Sequence, residues 1–516
     1  MTHLFSHIMT KPIRLSNPYR FILFILAASY ILLQLSCRKE ENYITDSAAK
    51  LAFSVDTLRF DTVFTQIGSA TRILKVFNRN EQPIRIAKIT LNNKTGVTFN
   101  LNIDGVSAKS FENVEIAAKD SIYVFAEVTV NPNAPLSISP FVAGQDLVFE
   151  TNGNTQKVVL EAWGQNANYI PSRFGKGGFT RLSGGDPNRV IEWNDPKPYV
   201  IYGVLFVDSC ILRIPAGARI HVHGGISYLP DTSAYRDGII FILPDAKIEA
   251  LGTLEKPVII QGDRLEKEFK EEYDQWAGII IGSRSTGNVL NYTTIRNSRV
   301  GVRVDSAASL TLRNTQMYNT AGSGLVVSHA QVTATNCLFY NNGGNAVQVE
   351  FGGNYNFSYC TMASYGSRNP ALSANNIKCY ERSATSCTRA LAYPLSMSAT
   401  NCIFYGSKDD EVELFDATKD ITTDFNVNFS NCVVRVKDLL KADNMPDFLT
   451  KKCVNCLNAD SKAKVFKNPS GDNYKLDSLS VADSKALLVP SIPKDLEDKL
   501  RDIQKPDIGC FENIIK

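Results

Sequence analysis

A repeat of 22 residues runs through the middle of the chain. Three sets of similar residues recur at this spacing: Asn297, Asn319 and Asn341; Thr293, Thr315 and Cys337; Ile295, Met317 and Phe339. A period of about twenty residues, with short apolar strands and Asn or Gly at the bends, is typical of a solenoid whose turns stack strand on strand. The apolar sets should form buried columns. The asparagines should adopt left-handed backbone at the turns and hydrogen-bond their own copies.

The phrases on either side of the repeat indicate the kind of solenoid. "YVIYGVLFVDSCILRIPAGARIHVHGG" and "IIFILPDAKIEALGTLEKPVIIQGD" contain short apolar strands joined by Gly- and Pro-containing corners. They resemble the first turns of right-handed parallel β-helices of the pectate-lyase-like superfamily. The late phrase "QKPDIGCFE" resembles the ending of a bacterial β-helix group. We therefore expect a β-helix over residues 199–440, followed by C-terminal rungs and a cap over 441–516.

An earlier region has a different strand pattern. Seven alternating runs rich in Val, Ile, Phe and Thr lie between Leu51 and Ala167, separated by polar turns such as "NRNEQP" and "NGN". Strands at this spacing indicate a β-sandwich. "VFNRN" and "VVLEAWG" resemble motifs of immunoglobulin-like domains of the abnormal-spindle and hydin type. The expected fold class is all-β, with an immunoglobulin-like β-sandwich over 49–168, a Gly- and Pro-rich linker over 169–198, and the right-handed parallel β-helix.

The first 36 residues predict export. Basic residues precede the apolar run "FILFILAASYILLQLS", which stops at Cys37 and is short for a membrane span. The region resembles a lipoprotein signal of the Bacteroidota, and "CRKEEN" is similar to their surface-export signal. The resemblance implies a signal peptide over 1–36, lipidation of Cys37, a tether over 37–48 and attachment to the outer membrane, facing the cell exterior.

Charge argues against nucleic acid as a partner. The leader contains Lys11, Arg14 and Arg20 and no acidic residue, so its removal leaves 52 of the 55 basic residues against 52 acidic ones. A chain with no net positive charge does not favour binding to a phosphate backbone. Neither a Ser-His-Asp context nor a phosphate loop nor a dinucleotide fingerprint is recognisable, and no cofactor is predicted.

The cysteines suggest packing more than a disulfide framework. Cys337, Cys360, Cys402 and Cys432 each open a similar alternating strand. We expect them to be stacked, buried free thiols. Cys453 and Cys456 form "CVNC", which could bind zinc, act as a redox pair, form a local disulfide or remain two plain thiols. The pairing of Cys379 and Cys387 is left open as well.

Three groups of residues are candidates for catalysis or metal binding. The stretch "GDRLEKEFKEEYDQW" contains six carboxylates, but interleaved basic residues indicate a solvated insertion. Arg303 and Asp305 alternate with valines and should point to solvent. His221 and His223 share one face of a strand but lack a recognisable third ligand. The sequence therefore predicts neither a catalytic residue nor a metal site.

An outward ladder is the candidate binding surface. Arg296, Tyr318 and Tyr340 repeat at 22 residues, and Tyr405 and Arg435 take the equivalent places in later repeats. Such a column could stack sugar rings and hydrogen-bond their hydroxyl groups, although tyrosine also suits any exposed strand. Trp276 could serve as a further sugar platform or cap the core.

These patterns together predict a surface-exposed outer-membrane lipoprotein with a non-catalytic binding or structural role. The most plausible ligand is a glycan or another polymer bound by the β-helix, and further partners could belong to an uptake complex. The alternative is a polysaccharide lyase or glycoside hydrolase, because β-helices often have these activities.

Overall fold

The computed structural model describes residues 42–64, 71–92, 97–130, 141–165, 167–170, 178–228, 234–265, 269–382, 387–417 and 425–513. The predicted signal peptide and Cys37 lie outside these residues. Within them, the regular secondary structure is almost entirely β-strand, with a π-helical turn at Phe448–Lys452 and a 3-10 turn at Pro469–Gly471. No helix in this part of the chain is long and apolar enough to span a bilayer.

Two five-stranded sheets form the N-terminal part. The first contains, in spatial order, β1 (Ala52–Phe53), β3 (Arg72–Phe77), β8 (Ser121–Val130), β5 (Val97–Ile103) and β6 (Val106–Ala108). The second contains β2 (Thr57–Phe64), β10 (Asn154–Gln165), β9 (Phe141–Thr151), β4 (Ile84–Leu91) and β7 (Ser110–Ile116). Alternate side chains of both sheets point into one shared apolar core, where the rings of Phe60 and Phe99 lie 5.5 Å apart.

A parallel coil with two long sheets follows. One face is an eleven-stranded sheet. Its strands are β11 (Asn168–Ile170), β14 (Tyr199–Tyr202), β17 (Arg219–His223), β22 (Val258–Gly262), β25 (Thr293–Arg296), β28 (Gln316–Thr320), β30 (Leu338–Asn342), β32 (Thr361–Ser364), β37 (Ile403–Gly406), β40 (Val433–Val434) and β42 (Leu457–Asn458).

The rest of the coil is a seventeen-stranded sheet that turns a corner. Its strands are β12 (Phe179–Ser183), β13 (Val190–Glu192), β15 (Val204–Asp208), β16 (Ile211–Pro215), β20 (Ile239–Ile242), β21 (Lys247–Leu251), β23 (Gly278–Ile281), β24 (Asn288–Asn291), β26 (Val302–Val304), β27 (Ser309–Arg313), β29 (Leu325–Thr335), β31 (Val347–Ser358), β33 (Leu372–Asn375), β36 (Leu395–Thr400), β38 (Val412–Phe415), β39 (Phe425–Ser430) and β41 (Cys453–Val454). β29 and β31 are long because each follows the sheet around the corner.

Three two-stranded hairpins complete the strands. They pair β18 (Ile226–Tyr228) with β19 (Ala234–Arg236), β34 (Ile377–Arg382) with β35 (Cys387–Ala392), and β43 (Phe466–Asn468) with β44 (Asn473–Leu476). A disulfide bond joins Cys379 to Cys387 across the second hairpin. This bond settles the pairing that the sequence left open for these two cysteines.

The predicted repeat sets the register of the coil. Ile295 pairs with Met317, and Met317 pairs with Phe339, on successive parallel strands. All three side chains are fully buried, as are the predicted stacked thiols, which are free. The predictions of stacked apolar columns and of buried free thiols are therefore confirmed.

The turn asparagines behave only partly as predicted. Asn297, Asn319 and Asn341 have φ angles of 64°, 51° and 50°, so the expected left-handed backbone is confirmed. The prediction that they hydrogen-bond one another is wrong, because each donates to a segment outside the coil. An asparagine ladder exists at another corner, where Asn336 donates to Asn314 at 3.1 Å.

The coil begins earlier than predicted. β11, β12 and β13 lie in or beside the expected linker, yet they pair in parallel with β14, β15 and β16. These strands form the first rung. They are short and rich in polar residues, so the sequence pattern did not indicate them. Trp193 stacks on Tyr199 at 4.5 Å and fills this end of the core. Residues 178–198 are therefore corrected from a linker to part of the coil. The coil ends at β42, within the segment predicted to hold the C-terminal rungs.

Residues 459–513, named here the C-terminal cover, lie against the outer face of the eleven-stranded sheet. They share an apolar cluster with outward side chains of the coil, including Tyr340, Ile403 and Tyr405. The cover residues buried in this cluster are Ala459, Val465, Phe466, Tyr474, Leu476, Ala482, Leu496, Ile508, Cys510 and Phe511. The segment that was expected to cap the end of the coil thus covers its side.

Candidate ligand-binding surface

The outer face of the eleven-stranded sheet brings the predicted ladder together. Side chains alternate along a strand, so Ile295 and Met317 point inward while Arg296 and Tyr318 point outward. Arg296 pairs with Tyr318, and Tyr318 pairs with Tyr340, on three successive rungs. The ladder is therefore a continuous column at the spacing of neighbouring strands.

Hydrogen bonds fix Arg296 in this column. Its Nε donates to Oε1 of Gln261 at 2.7 Å, and its Nη1 donates to the hydroxyl of Tyr318 at 3.2 Å. The Arg296 side chain is still 22% exposed. The Tyr318 ring stacks on Tyr340 with 4.5 Å between ring centres, so it is held from its other side. The pair offers a preorganised cation and ring at the surface.

A loop borders this pair. Residues 269–275 follow a bend beside the sheet, and Glu271 Oε1 lies 3.7 Å from Arg296 Nη1. Asn319 donates to Glu271 Oε2 at 3.0 Å, while Asn297 donates to the backbone carbonyl of Glu272 at 2.7 Å. Residues 269–273 are exposed, which agrees with the predicted solvated insertion. The turn asparagines thus anchor the loop as one wall of the surface.

A histidine and a carboxylate extend the surface toward the N-terminal rungs. Nδ1 of His223 lies 2.7 Å from Oδ2 of Asp263; the imidazole is 47% exposed, whereas the carboxylate is only 9% exposed. A nearly buried carboxylate at this distance orients the imidazole ring. The Tyr202 ring lies 5.1 Å from the imidazole.

His221 has a different environment two positions earlier on the same strand. It is fully enclosed, and burial lowers the pKa of its imidazole to about 4. It is therefore neutral at neutral pH.

The outward side chains on this face of the sheet form one surface, which we name the polar strip. It consists of His221, His223, Gln261, Asp263, Arg296 and Tyr318.

The structure corrects the predicted exposure of two tyrosines. Tyr340 and Tyr405 are 8% and 4% exposed because the C-terminal cover lies over them. The ring of Tyr474 lies 4.9 Å from that of Tyr340. The Tyr405 hydroxyl donates to the carbonyl of Asp460 at 2.7 Å. Neither ring can stack on a sugar while the cover is in place.

Trp276 is also buried, at 1% exposure. Its Nε1 donates to the carbonyl of Arg296 at 2.9 Å, so it supports the backbone beneath the polar strip. Of the two roles predicted for Trp276, the structure agrees with capping the core. The prediction of an open sugar platform is wrong, because the side chain is buried.

Arg435 lies at the far end of the ladder and is engaged there. It donates to the carbonyl of Gly406 at 2.8 Å and to Asp409 at 3.0 Å. Nearby, an open groove of about 610 Å³ is lined by several acidic residues and by Phe415. Asp410 in its wall accepts three backbone N–H groups, from Lys437, Asp438 and Leu439, so that carboxylate has a structural role.

The other candidate groups for catalysis or metal binding do not form a site in the described residues. Arg303 and Asp305 form a surface ion pair of 2.8 Å, with the arginine 52% exposed, as predicted for a solvated edge. Among the described residues, no group of three or more His, Cys, Asp or Glu side chains is arranged to hold a metal ion.

Sequence reasoning missed Gln261 and the pairing of His223 with Asp263. Gln261 is 35 positions from Arg296, and Asp263 is 40 positions from His223, because hairpin and loop insertions lengthen these rungs beyond the 22-residue repeat. A signal was available in "HVH" and "IIQGD", since both stretches end strands that precede insertions. Aligning strand ends would have placed them side by side.

Comparison with known proteins bears on the fold. Residues 267–362 match the model of the family described as "Right handed beta helix region". A search of curated proteins gave no match.

Solved structures show only distant likeness. A protein of unknown function from Porphyromonas gingivalis W83 is 14% identical over 22% of this chain and 46% of its own, with a TM-score of 0.17. A family 123 glycoside hydrolase from Clostridium perfringens is 8% identical over 36% of this chain and 43% of its own, with a TM-score of 0.17. The catalytic unit of a GH87 alpha-1,3-glucanase from Streptomyces thermodiastaticus strain HF3-3 is 10% identical over 70% of this chain and 73% of its own, with a TM-score of 0.25.

This chain thus spans less than half the length of the first two proteins, and TM-scores of this size carry no argument about activity. The family match and the stacked parallel rungs agree with each other. The C-terminal part of the chain is a right-handed β-helix.

Proposed function

We propose that this chain is a lipoprotein of the Bacteroidota type, attached to the outer membrane through Cys37 and facing the cell exterior. In this proposal the N-terminal part is an immunoglobulin-like spacer. The β-helix binds a glycan without cleaving it and acts alone or with partners of an uptake complex. The motifs around Cys37 and the strand pattern of residues 49–168 support the anchor and the spacer.

The observation that carries the binding role is the fixed pair of Arg296 and Tyr318. A sugar ring presents an apolar face and a rim of hydroxyl groups, so it suits a partly exposed aromatic ring beside a guanidinium. Gln261 and Tyr318 hold Arg296 before any ligand arrives, at 2.7 and 3.2 Å. Little conformational entropy is then lost on binding.

The composition of the polar strip favours hydroxyl-rich ligands over highly charged ones. Arg296 and His223 supply donors, while Asp263 and the neighbouring Glu271 supply acceptors. A sugar hydroxyl can both donate and accept a hydrogen bond, so it can use both kinds of group. A polyanion would face two carboxylates at the same surface.

Affinity electrophoresis in gels that contain neutral or uronate-rich polysaccharides tests the binding role. Arg296→Gln and Tyr318→Phe should each weaken retention of the full chain by roughly three- to tenfold, through loss of about 1 kcal/mol. The matched controls are Arg303→Gln on an outer edge of the other sheet and Tyr380→Phe on the disulfide-linked hairpin. Retention that is equal in variants and controls would remove the polar strip from the proposal.

One observation favours an enzyme as a second candidate. The carboxylate of Asp263 orients the exposed imidazole of His223, an arrangement that general bases use. Incubation with the same polysaccharides, followed by assays for new reducing or unsaturated ends, separates the two functions. Turnover that is lost in His223→Gln would establish a lyase or hydrolase in place of a binding protein.

A further inference from the structure

A column of cysteines follows one corner of the coil. Each comes directly after a residue with left-handed backbone, and the five are Cys337, Cys360, Cys402, Cys432 and Cys456. Sulfur atoms join the rungs, because the amide of Cys360 donates to Sγ of Cys402 and the amide of Cys402 donates to Sγ of Cys432, each at 3.4 Å. Cys456 therefore belongs to this column, and "VNC" continues the series "TNC", "TNC" and "SNC".

The column reaches the surface only at its last member. Cys337, Cys360, Cys402 and Cys432 are buried, whereas Cys456 is partly exposed because it lies beside the last strand of the eleven-stranded sheet. The rung of Cys456 lies directly on that of Cys432, as the amide of Leu457 donates to the carbonyl of Cys432 at 2.8 Å.

The sulfur of Cys453 lies beside this end of the cysteine column. Cys453 begins β41 on the same turn of the coil, and the thiols of Cys432 and Cys453 are both neighbours of the Cys456 sulfur. The two neighbouring thiols, Cys432 first and then Cys453, lower the pKa of the Cys456 thiol below its usual value, because an S–H group beside a thiolate stabilises it. The thiolate is the reactive form toward disulfides, so Cys456 is both the accessible and the nucleophilic member of the cluster.

We propose that Cys456 and Cys453 are a redox-active pair that closes to a disulfide bond when the chain meets a small disulfide oxidant. Cys456 is the thiol that reacts first, and Cys453 is the thiol that resolves it. The proposal concerns the end of the coil and is independent of the glycan surface.

Cys453 suits the resolving role better than Cys432. Sγ of Cys432 lies 3.3 Å from the carbonyl oxygens of both Ala399 and Ser430, and it accepts a hydrogen bond from the amide of Cys402. Moving this sulfur would break three contacts inside a packed core. Cys453 lies closer to solvent, at 8% exposure, and only two residues separate it from Cys456.

The chemistry balances with the oxidant as the electron acceptor. The Cys456 thiolate attacks one sulfur of the oxidant, which breaks the oxidant's S–S bond and releases one thiolate. Cys453 then loses its proton and attacks the Cys456 sulfur of the mixed disulfide, and the second oxidant thiolate leaves. Two protein thiols are oxidised and one disulfide is reduced to two thiols.

Peptide mapping of the full chain tests this. The reduced protein is treated with oxidised glutathione at neutral pH, alkylated after denaturation and digested with trypsin. Cys453 and Cys456 fall in a single peptide, 453–462, while Cys432 falls in another. We expect this peptide to lose both alkylation sites and two hydrogens without keeping glutathione. Re-formation of the Cys379–Cys387 bond shows that the oxidant was active.

Two variants identify the roles of the pair. Cys453→Ser should keep glutathione on Cys456, because the resolving thiol is missing, and Cys456→Ser should leave Cys453 fully alkylated. Unchanged thiols in the unmodified protein, glutathione retained there on Cys456, or a link between peptide 453–462 and the Cys432 peptide would overturn the proposal. The measurement on the unmodified protein does not depend on whether a variant folds.

Discussion

The guanidinium of Arg501 lies 3.7 Å from the centre of the Tyr359 ring, so a cation of the C-terminal cover rests on an aromatic ring of the coil. Both Arg501 and its ion-pair partner Glu512 are buried, with Nη1 and Oε2 3.2 Å apart. Nη2 of Arg501 also donates to Asn336, a turn residue of the coil, at 2.9 Å. One side chain thus connects the cover to two rungs.

Replacing this arginine should destabilise the protein severely. Arg501→Met leaves the carboxylate of Glu512 without its buried partner, and we expect the free energy of unfolding to fall by about 3–5 kcal/mol. Urea denaturation followed by circular dichroism measures the change. Arg303→Met, at a solvent-exposed ion pair, should cost less than about 1 kcal/mol. Equal losses at the two positions would contradict the role of Arg501.

The stability of the cover should depend on pH through Asp507. Burial raises the pKa of this carboxyl from 3.8 to about 6. The ionised carboxylate therefore costs free energy in the folded state, a cost that is absent below about pH 4, grows to about pH 6 and stays constant above.

Comparison with Asp507→Asn isolates this group from others that titrate. Relative to the variant, the unmodified protein should lose about 2 kcal/mol of unfolding free energy between pH 4.5 and pH 7.5. The two urea midpoints are compared at each pH. A difference that is constant, or that grows in favour of the unmodified protein as the pH rises, would be inconsistent with a raised pKa.

Asn341 should separate backbone strain from hydrogen bonding. Its φ angle is 50°, and its side chain donates to Asp472 at 2.6 Å and accepts from the Tyr474 hydroxyl at 3.2 Å. Asn341→Gly loses only the hydrogen bonds and should cost about 1 kcal/mol, whereas Asn341→Ala should cost roughly 1 kcal/mol more because alanine resists this conformation.

Thermal and urea unfolding give both values. Asn354→Ala, on an exposed strand position, is the control for asparagine loss in general. If the alanine and glycine variants were equally stable, left-handed backbone would not be the reason for an asparagine at this turn.

The inner column should be sensitive to lost volume. Phe339 is fully buried between Met317 and Met362 on neighbouring rungs. Phe339→Ala should lower the free energy of unfolding by about 3–5 kcal/mol, since a close-packed coil cannot collapse around the cavity. Phe415→Ala removes the same group from a ring that is 54% exposed and should cost much less. Similar losses in urea denaturation would argue against a shared interior.

The sequence patterns predicted the positions that belong to the repeat, and they missed the contacts made by segments outside it. The sequence predicts that Phe339 is in the core, because alternation along a strand and the 22-residue step both reflect the same local geometry. The burial of Tyr340 depends instead on Tyr474, which is far along the chain and in a segment without a period. The polar strip was recognised only at Arg296 and Tyr318, because insertions of variable length separate these residues from Gln261 and Asp263.

The course of the C-terminal cover has a consequence for how the coil unfolds. Solenoids contact mainly their nearest neighbours, so rungs can open from one end independently of the others. Here the cover hydrogen-bonds one corner of the coil at several levels, through Asn431, Asn401, Asn336 and Tyr292. These hydrogen bonds run along the length of the coil and couple distant rungs. The rungs between Tyr292 and Asn431 should therefore unfold together in a single cooperative transition.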